Sequence, residues 1–374
     1  MTPLNELAAH GQSVWLDYLR RNMLTDGGLE KLIENDGVVG LTSNPTIFEK
    51  ALAGNEYDDS LRRYAADQKL EPAVIFEKIA VEDIRRATEI LEPVYRKTGH
   101  VDGYVSLEVS PALANDTNGT IAEARRLWGE VGRPNLMIKV PGTPSGVPAI
   151  RQLISEGINV NVTLLFGRKT YEAVADAHLS GLEARADKAD IRTVAGVASF
   201  FVSRIDTAID KKIDERLKSA EGEKAALLRA LRGKVAIANA KLAYVIYQQI
   251  IGSARWRKLA TKGALPQRLL WASTSTKDPA YRDVLYVEEL VGRDTIDTMP
   301  VATLEAFREH GRVRDSLTED LPGARHVLEQ AEELGLDLDG VTDQLVVDGV
   351  RLFAESFDKL LAKVREKRAA LVHH

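Results

Sequence analysis

Eight short runs of β type, each followed by a helical run, set the strongest limit on how this chain can fold. The runs are Gln12–Leu16, Gly37–Ser43, Tyr104–Val109, Leu136–Val140, Ile158–Leu164, Thr193–Phe200, Leu269–Thr274 and Thr295–Met299. Most are near-continuous apolar stretches, the pattern of strands buried on both faces. Helical patterns lie between them, among them Leu29–Glu34, Pro72–Thr98 (interrupted at Pro93), Ile121–Val131, Gly146–Glu156, Lys169–Arg185 and Ser203–Lys218. Strands alternating with helices predict a parallel sheet, and eight such units predict closure as an α/β (β/α)8 TIM-type barrel. At 374 residues the chain can form one large barrel domain over 1–374.

Two regions exceed a minimal barrel. The first, 204–266, follows strand 6 and holds two helical segments where one would do; the second segment, Glu223–Ile251, repeats Leu, Ala, Ile and Tyr at helical spacing. The other is the C-terminal stretch, 302–374, helical in pattern throughout from 302 to 371. There Leu345, Val346, Val350, Phe353, Phe357, Leu360, Leu361 and Val364 form an apolar stripe. A stripe of that kind is expected to pack against the barrel rather than to receive a partner. No internal repeat, low-complexity run or Ser/Gly-rich linker divides the chain.

Composition removes several classes of function. A formal charge of −5 and a pI near 5.9 argue against general nucleic-acid or membrane-surface binding, so an anionic ligand would need a local cation cluster. With no cysteine there is neither a disulfide framework nor a thiolate metal site. His10, His100, His178, His310 and His326 lack ligand spacing, and no metal is expected; His373 and His374 end the chain as a native pair or a purification remnant. No segment reads as a signal peptide or a membrane span, so the expected location is the cytoplasm. The sequence leaves room for a homo-oligomer.

In a parallel barrel the chemistry gathers at the C-terminal ends of the strands. Here the first strand runs into Asp17, and the second ends in Thr42-Ser43-Asn44-Pro45. The third carries Glu108, the fourth Lys139 just before Pro141-Gly142, and the sixth Ser199, with Arg204 in the next turn. The fifth alternates strictly, which places Asn159, Asn161 and Thr163 on one face, read as the barrel interior. Each residue alone has a bland explanation. Asn before Pro is ordinarily a turn residue, a strand-end lysine ordinarily snorkels to solvent, and buried polar pairs can be purely structural. Six successive strands with polar groups at the same end are harder to explain by packing, because buried polar groups cost free energy unless paired.

Residue types then suggest chemistry. A lysine kept partly neutral by desolvation can attack a ketone and form a Schiff base, whose iminium is an electron sink for C–C cleavage. Such a pocket needs a base for the leaving hydroxyl, a proton shuttle and amides for sugar hydroxyls; Asp17, Glu108 and the Asn44/Asn161 pair are of the right types. Arg204 offers a planar fork for phosphate.

Four motifs carry a resemblance. They are Gly40-Leu41-Thr42-Ser43-Asn44-Pro45-Thr46, Asn135-Leu136-Met137-Ile138-Lys139-Val140-Pro141-Gly142-Thr143, Gly157-Ile158-Asn159-Val160-Asn161-Val162-Thr163-Leu164-Leu165-Phe166, and Ser199-Phe200-Phe201-Val202-Ser203-Arg204-Ile205-Asp206. Together, over roughly 12–277, they resemble the transaldolases of the pentose phosphate pathway, in particular the longer group that also occurs fused to glucose-6-phosphate isomerase. The resemblance implies transfer of a dihydroxyacetone unit between sugar phosphates, with no cofactor. It implies Lys139 as the Schiff-base lysine, Glu108 acting through a water held by Thr163, and Asp17 taking the proton of the C4 hydroxyl. Asn44, Asn161 and Ser199 would hold donor hydroxyls and Arg204 the phosphate. The chain departs from the common pattern at Phe200 and Ser203, where many transaldolases have Pro and Gly, and after strand 7, where Lys277 stands in place of an arginine. Two rivals remain: a fructose-6-phosphate aldolase, typically much shorter and using a tyrosine as proton carrier, and a non-catalytic sugar-phosphate-binding barrel.

Overall fold

The computed structural model describes residues 2–65, 67 and 69–372. Eight parallel strands close in sequence order: β1 Gln12–Asp17, β2 Val38–Thr42, β3 Tyr104–Glu108, β4 Leu136–Pro141, β5 Val160–Leu165, β6 Gly196–Phe201, β7 Arg268–Ala272 and β8 Thr295–Met299. β8 pairs with β1 to complete the barrel. The (β/α)8 expectation holds, and it holds because β4, β5, β6, β7 and β8 are buried along their whole length. Apolar side chains on both faces of most of these strands give the near-continuous apolar runs by which they are legible.

The N-terminal end of the barrel is tied by a buried ion pair. Arg268 Nη2 lies 2.8 Å from Asp102 Oδ1, which also accepts from Trp15 Nε1 at 3.0 Å, while Ser13 Oγ donates to Asp102 Oδ2 at 2.7 Å. Asn159 works at the same end. It sits just before β5 rather than in it, donating to Pro134 O and Leu136 O and accepting from Ala195 N, so it stitches the entries of β4 and β6.

The helical regions differ from expectation in three places. Helix Pro72–Lys97 runs unbroken through Pro93, because the proline falls near its C-terminal end and Leu91 and Tyr95 anchor both sides in the core. After β6 there are four helices, Ser203–Leu217, Gly222–Leu231, Val235–Ile251 and Ala254–Ala260, rather than two segments. The expected single run Glu223–Ile251 breaks at Gly233, whose φ of +68° no helix accommodates. The C-terminal stretch is likewise not helical throughout. Helices Val301–His310, Leu321–Glu333 and Leu338–Val372 are separated by irregular chain at 311–315 and a 3₁₀ turn at Ser316–Thr318. Asp320 caps the middle one, accepting from Gly323 N at 3.0 Å. His373 and His374 lie outside the described residues. Among the described residues no helix is long and apolar enough to cross a membrane.

One buried carboxyl gives the fold a pH dependence. Asp297 in β8 is fully buried; it accepts from Thr274 Oγ1 at 3.0 Å, and its Oδ2 has no partner among the described residues. Burial pushes it up to about 8. In the unfolded chain an Asp titrates near ~3.9. Between those values the folded state holds the extra proton, so stability declines as pH rises through the window and levels off above it. One retained proton gives a slope of about 1.4 kcal/mol per pH unit. Asp297→Asn, which cannot titrate, should lose that slope in urea unfolding followed from pH 6 to 8. A variant whose stability declines in parallel with the parent would contradict this assignment. His178 acts with opposite sign. Buried and lowered to about 4, it contributes stability that is lost as pH falls through that value.

Candidate active site

Strand register brings three of the expected residues into one row at the C-terminal end of the barrel. Glu108 on β3 is level with Lys139 on β4, and Lys139 is level with Asn161 on β5. β4 is apolar on both sides of the lysine, so the side chain can satisfy its amine only toward the barrel mouth. Lys139 is 5% exposed; its Nζ donates to Ser43 O at 3.0 Å and lies 3.6 Å from Glu108 Oε2. Desolvation raises the Glu108 carboxyl above its ordinary value, an effect that Lys139 opposes. Glu108 Oε2 and Thr163 Oγ1 are both buried without a hydrogen-bond partner among the described residues.

Asp17 ends β1 and faces the same space. Thr42 Oγ1 donates to its Oδ1 at 2.7 Å and is itself 2.8 Å from Thr298 Oγ1. Desolvation raises Asp17, and the charges of Lys139 and Arg204 pull it back. Two carboxyls held above their ordinary range by burial, beside one amine, are candidates for proton transfer. A second chain of bonds crosses the barrel: Ser199 Oγ donates to Asn161 Oδ1 at 2.7 Å, and Asn161 Nδ2 donates to Ser106 Oγ at 2.9 Å. Asn44 caps helix Pro45–Ala51 by accepting from Ile47 N at 3.0 Å, and its side chain borders the cavity.

That cavity has a volume of about 480 Å³. Asp17, Asn44, Lys139, Thr163, Ser199, Arg204 and Lys277 all line it. Arg204 enters in the first turn of helix Ser203–Leu217, directly after β6. Among the described residues its guanidinium makes no hydrogen bond or ion pair; the Phe201 ring lies 5.2 Å away and the Phe353 ring 5.9 Å. Lys277 Nζ donates to Ser275 Oγ at 2.6 Å, and burial together with the nearby charges of Arg204 and Lys50 lowers it. The mouth is thus cationic on a protein of net charge −5.

Two expected residues stand apart from the rest. Asn161 is fully buried and borders no part of the cavity; both ends of its amide are taken by Ser106 and Ser199, so it reaches the space through Ser199. Glu108 borders a neighbouring, larger cavity of about 730 Å³ as well as facing Lys139. Several polar groups of that second cavity pair with one another, among them Arg126 Nη2 with Glu77 at 2.6 Å and Ser110 N–H with Glu123 at 3.3 Å. Sequence reasoning missed Thr42, which holds Asp17, Thr298, which bonds to Thr42, Ser106, which holds Asn161, and Tyr18, Lys50, Phe201 and Phe353, which line the cavity. Ser106 had a signal, since period two puts it on the face of Glu108. Phe353 had none beyond its apolar stripe.

Residues 14–364 match the family model described as Transaldolase/Fructose-6-phosphate aldolase. The chain belongs to that family. Among its relatives, "Transaldolase 2" of Nostoc punctiforme is 50% identical over 369 residues, covering 97% of each chain. "Transaldolase" of Parafrankia sp. is 50% identical over 368 residues, covering 98% of each. "Transaldolase" of Thermobifida fusca is 49% identical over 373 residues, covering 99% of each. The family model embraces both transaldolases and fructose-6-phosphate aldolases, so the family alone leaves open whether a freed dihydroxyacetone unit is released or passed on.

Proposed function

We propose that this chain is a transaldolase that moves a dihydroxyacetone unit through a Schiff base on Lys139. The donor is sedoheptulose 7-phosphate or fructose 6-phosphate and the acceptor glyceraldehyde 3-phosphate or erythrose 4-phosphate, as in the pentose phosphate pathway. The observation that carries the reading is the buried Lys139 amine, 3.6 Å from Glu108, facing a cavity that Asp17 and Arg204 also line.

Lys139 Nζ attacks the donor ketone at C2, and the carbinolamine loses water to give the iminium. Glu108 moves protons in that step; its unpartnered Oε2 and the unpartnered Thr163 Oγ1 are groups that one bridging water would satisfy. Asp17, oriented by Thr42, takes the proton of the C4 hydroxyl as the C3–C4 bond breaks and its electrons enter the iminium. The aldose phosphate leaves, the enamine adds to the acceptor aldehyde, and hydrolysis frees Lys139. Asn44 and Ser199 hold donor hydroxyls, with Asn161 acting through Ser199. Arg204 holds the phosphate with help from Lys277.

Full-length relatives named transaldolase favour transfer over release. The rival is separated by feeding fructose 6-phosphate with and without erythrose 4-phosphate. A transaldolase forms glyceraldehyde 3-phosphate at a sustained rate only with the acceptor, whereas steady release of dihydroxyacetone without it would establish the aldolase.

The phosphate role of Arg204 has its own test. Hydrogen bonds between charged partners contribute about 1.5–3 kcal/mol. Arg204→Ala should therefore raise KM for fructose 6-phosphate at least about tenfold and hardly change the poor turnover of unphosphorylated fructose. Equal losses on both donors would make Arg204 structural.

A further inference from the structure

The C-terminal helix Leu338–Val372 crosses the barrel mouth, and the mechanism above makes no use of it. Three contacts fix its path. Gly349 packs on Leu164, the residue after Thr163, so closely that a Cβ there would come within 2.7 Å of Leu164 Cδ2. Leu164 itself is buried at φ +58°, where the β5–β6 register shifts, which turns its side chain to meet the helix. Ser356 Oγ accepts from Thr46 Oγ1 at 3.0 Å, two residues beyond Asn44. The Phe357 ring meets Phe76 edge-on at 5.9 Å.

Phe353 lies one helical turn from both Gly349 and Ser356, on the face these contacts turn to the barrel. It is 8% exposed, lines the substrate cavity, and has its ring 5.9 Å from the Arg204 guanidinium carbon, with the Phe201 ring at 5.2 Å. An arginine that must bind phosphate faces a conflict. A carboxylate would hold the long side chain in place but would occupy the N–H groups the phosphate needs. Ring faces attract the cation and limit its rotamers without consuming any of its five donors. Arg204 has no carboxylate partner among the described residues and has two rings.

We propose that Phe353 is a positioning residue for the phosphate end of the site, holding the Arg204 guanidinium together with Phe201, so that the C-terminal helix completes the sugar-phosphate pocket. This rests on the reading of Arg204 as the phosphate ligand. Phe353 touches no reacting atom, so its effect belongs in KM for phosphorylated donors and not in kcat.

The test compares Phe353→Leu, Phe353→Tyr, Arg204→Ala and the double variant Phe353→Leu/Arg204→Ala on fructose 6-phosphate and fructose. Phe353→Leu should raise KM for fructose 6-phosphate about three- to tenfold, between the exposed and the fully desolvated values of a cation–ring contact. Its kcat should stay within about twofold and its turnover of fructose should not change; Phe353→Tyr, which keeps the ring, should restore KM. In the Arg204→Ala background Phe353→Leu should add nothing. If Phe353→Leu folds poorly by thermal melting, Phe353→Met, closer in volume, carries the same comparison. Unchanged KM in a folded ring-less variant, equal losses on both donors, or additive losses in the double variant would each overturn the proposal. If Arg204→Ala itself fails to discriminate between the donors, the reading of Arg204 is what has failed; if it discriminates and the Phe353 variants do not, only the role of Phe353 falls.

Discussion

Lys139→Ala should abolish transaldolase turnover and leave the barrel folded. Every other group of the site can bind, orient or move a proton, but none can replace the covalent bond to C2, so the loss should reach several orders of magnitude, about 10³-fold or more. The fold should tolerate the change because Lys139 lies in the C-terminal half of β4, with its amine directed at Ser43 O and Glu108 rather than into the apolar layer. Glu108 should respond. Lys139 opposes the desolvation that raises its carboxyl, so without the amine Glu108 rises further. Lys139→Arg keeps the charge and should be as inactive as alanine, since a guanidinium is not a nucleophile at neutral pH. Circular dichroism and thermal melting check the fold, and a coupled assay with fructose 6-phosphate and erythrose 4-phosphate checks turnover. Retention of more than about a hundredth of the parent rate by Lys139→Ala would rule out the covalent mechanism.

Asp17→Ala and Glu108→Ala should each cost about 10²–10⁴-fold, and at different steps. Asp17 sits on β1 with Thr42 holding one oxygen, while Glu108 sits two strands along, on β3 beside the lysine. With Asp17→Ala the donor imine should still form and accumulate, because only the proton of the C4 hydroxyl has lost its acceptor. With Glu108→Ala the imine itself should form slowly. Rapid quench with reductive trapping separates the two: the first variant should trap fully from fructose 6-phosphate but release no glyceraldehyde 3-phosphate. Normal cleavage with defective trapping in Asp17→Ala would reverse the assignment.

Much of this site could be read from the chain because strand ends are punctuated. Pro45 follows β2 closely and Pro141-Gly142 closes β4, so the chain itself places Asn44 and Lys139 near the mouth. Doubly buried strands betray themselves as apolar runs, and a polar residue inside one, such as Lys139 or Ser199, is conspicuous; Thr163 is legible instead from the strict alternation of the fifth strand. What period two cannot show is depth along the strand. Asn161 and Thr163 share a face, yet Thr163 borders the cavity while Asn161 lies a layer below, spent on Ser106 and Ser199. Helix breaks were legible only where the backbone demands one, and Gly233 reads as an ordinary small residue until its φ is known. Phe353 was the least legible. Its stripe says that the helix packs, and only the docking of Gly349 on Leu164 determines which residue of the stripe reaches Arg204.

The most direct test of the covalent mechanism is reduction with borohydride in the presence of fructose 6-phosphate, followed by peptide mass spectrometry. The account predicts loss of activity together with a reduced dihydroxyacetone adduct on the peptide that carries Lys139, absent when either reagent is omitted and absent in Lys139→Ala. An unmodified Lys139 peptide from fully active protein, or an adduct on another lysine such as Lys50 or Lys277, would contradict it.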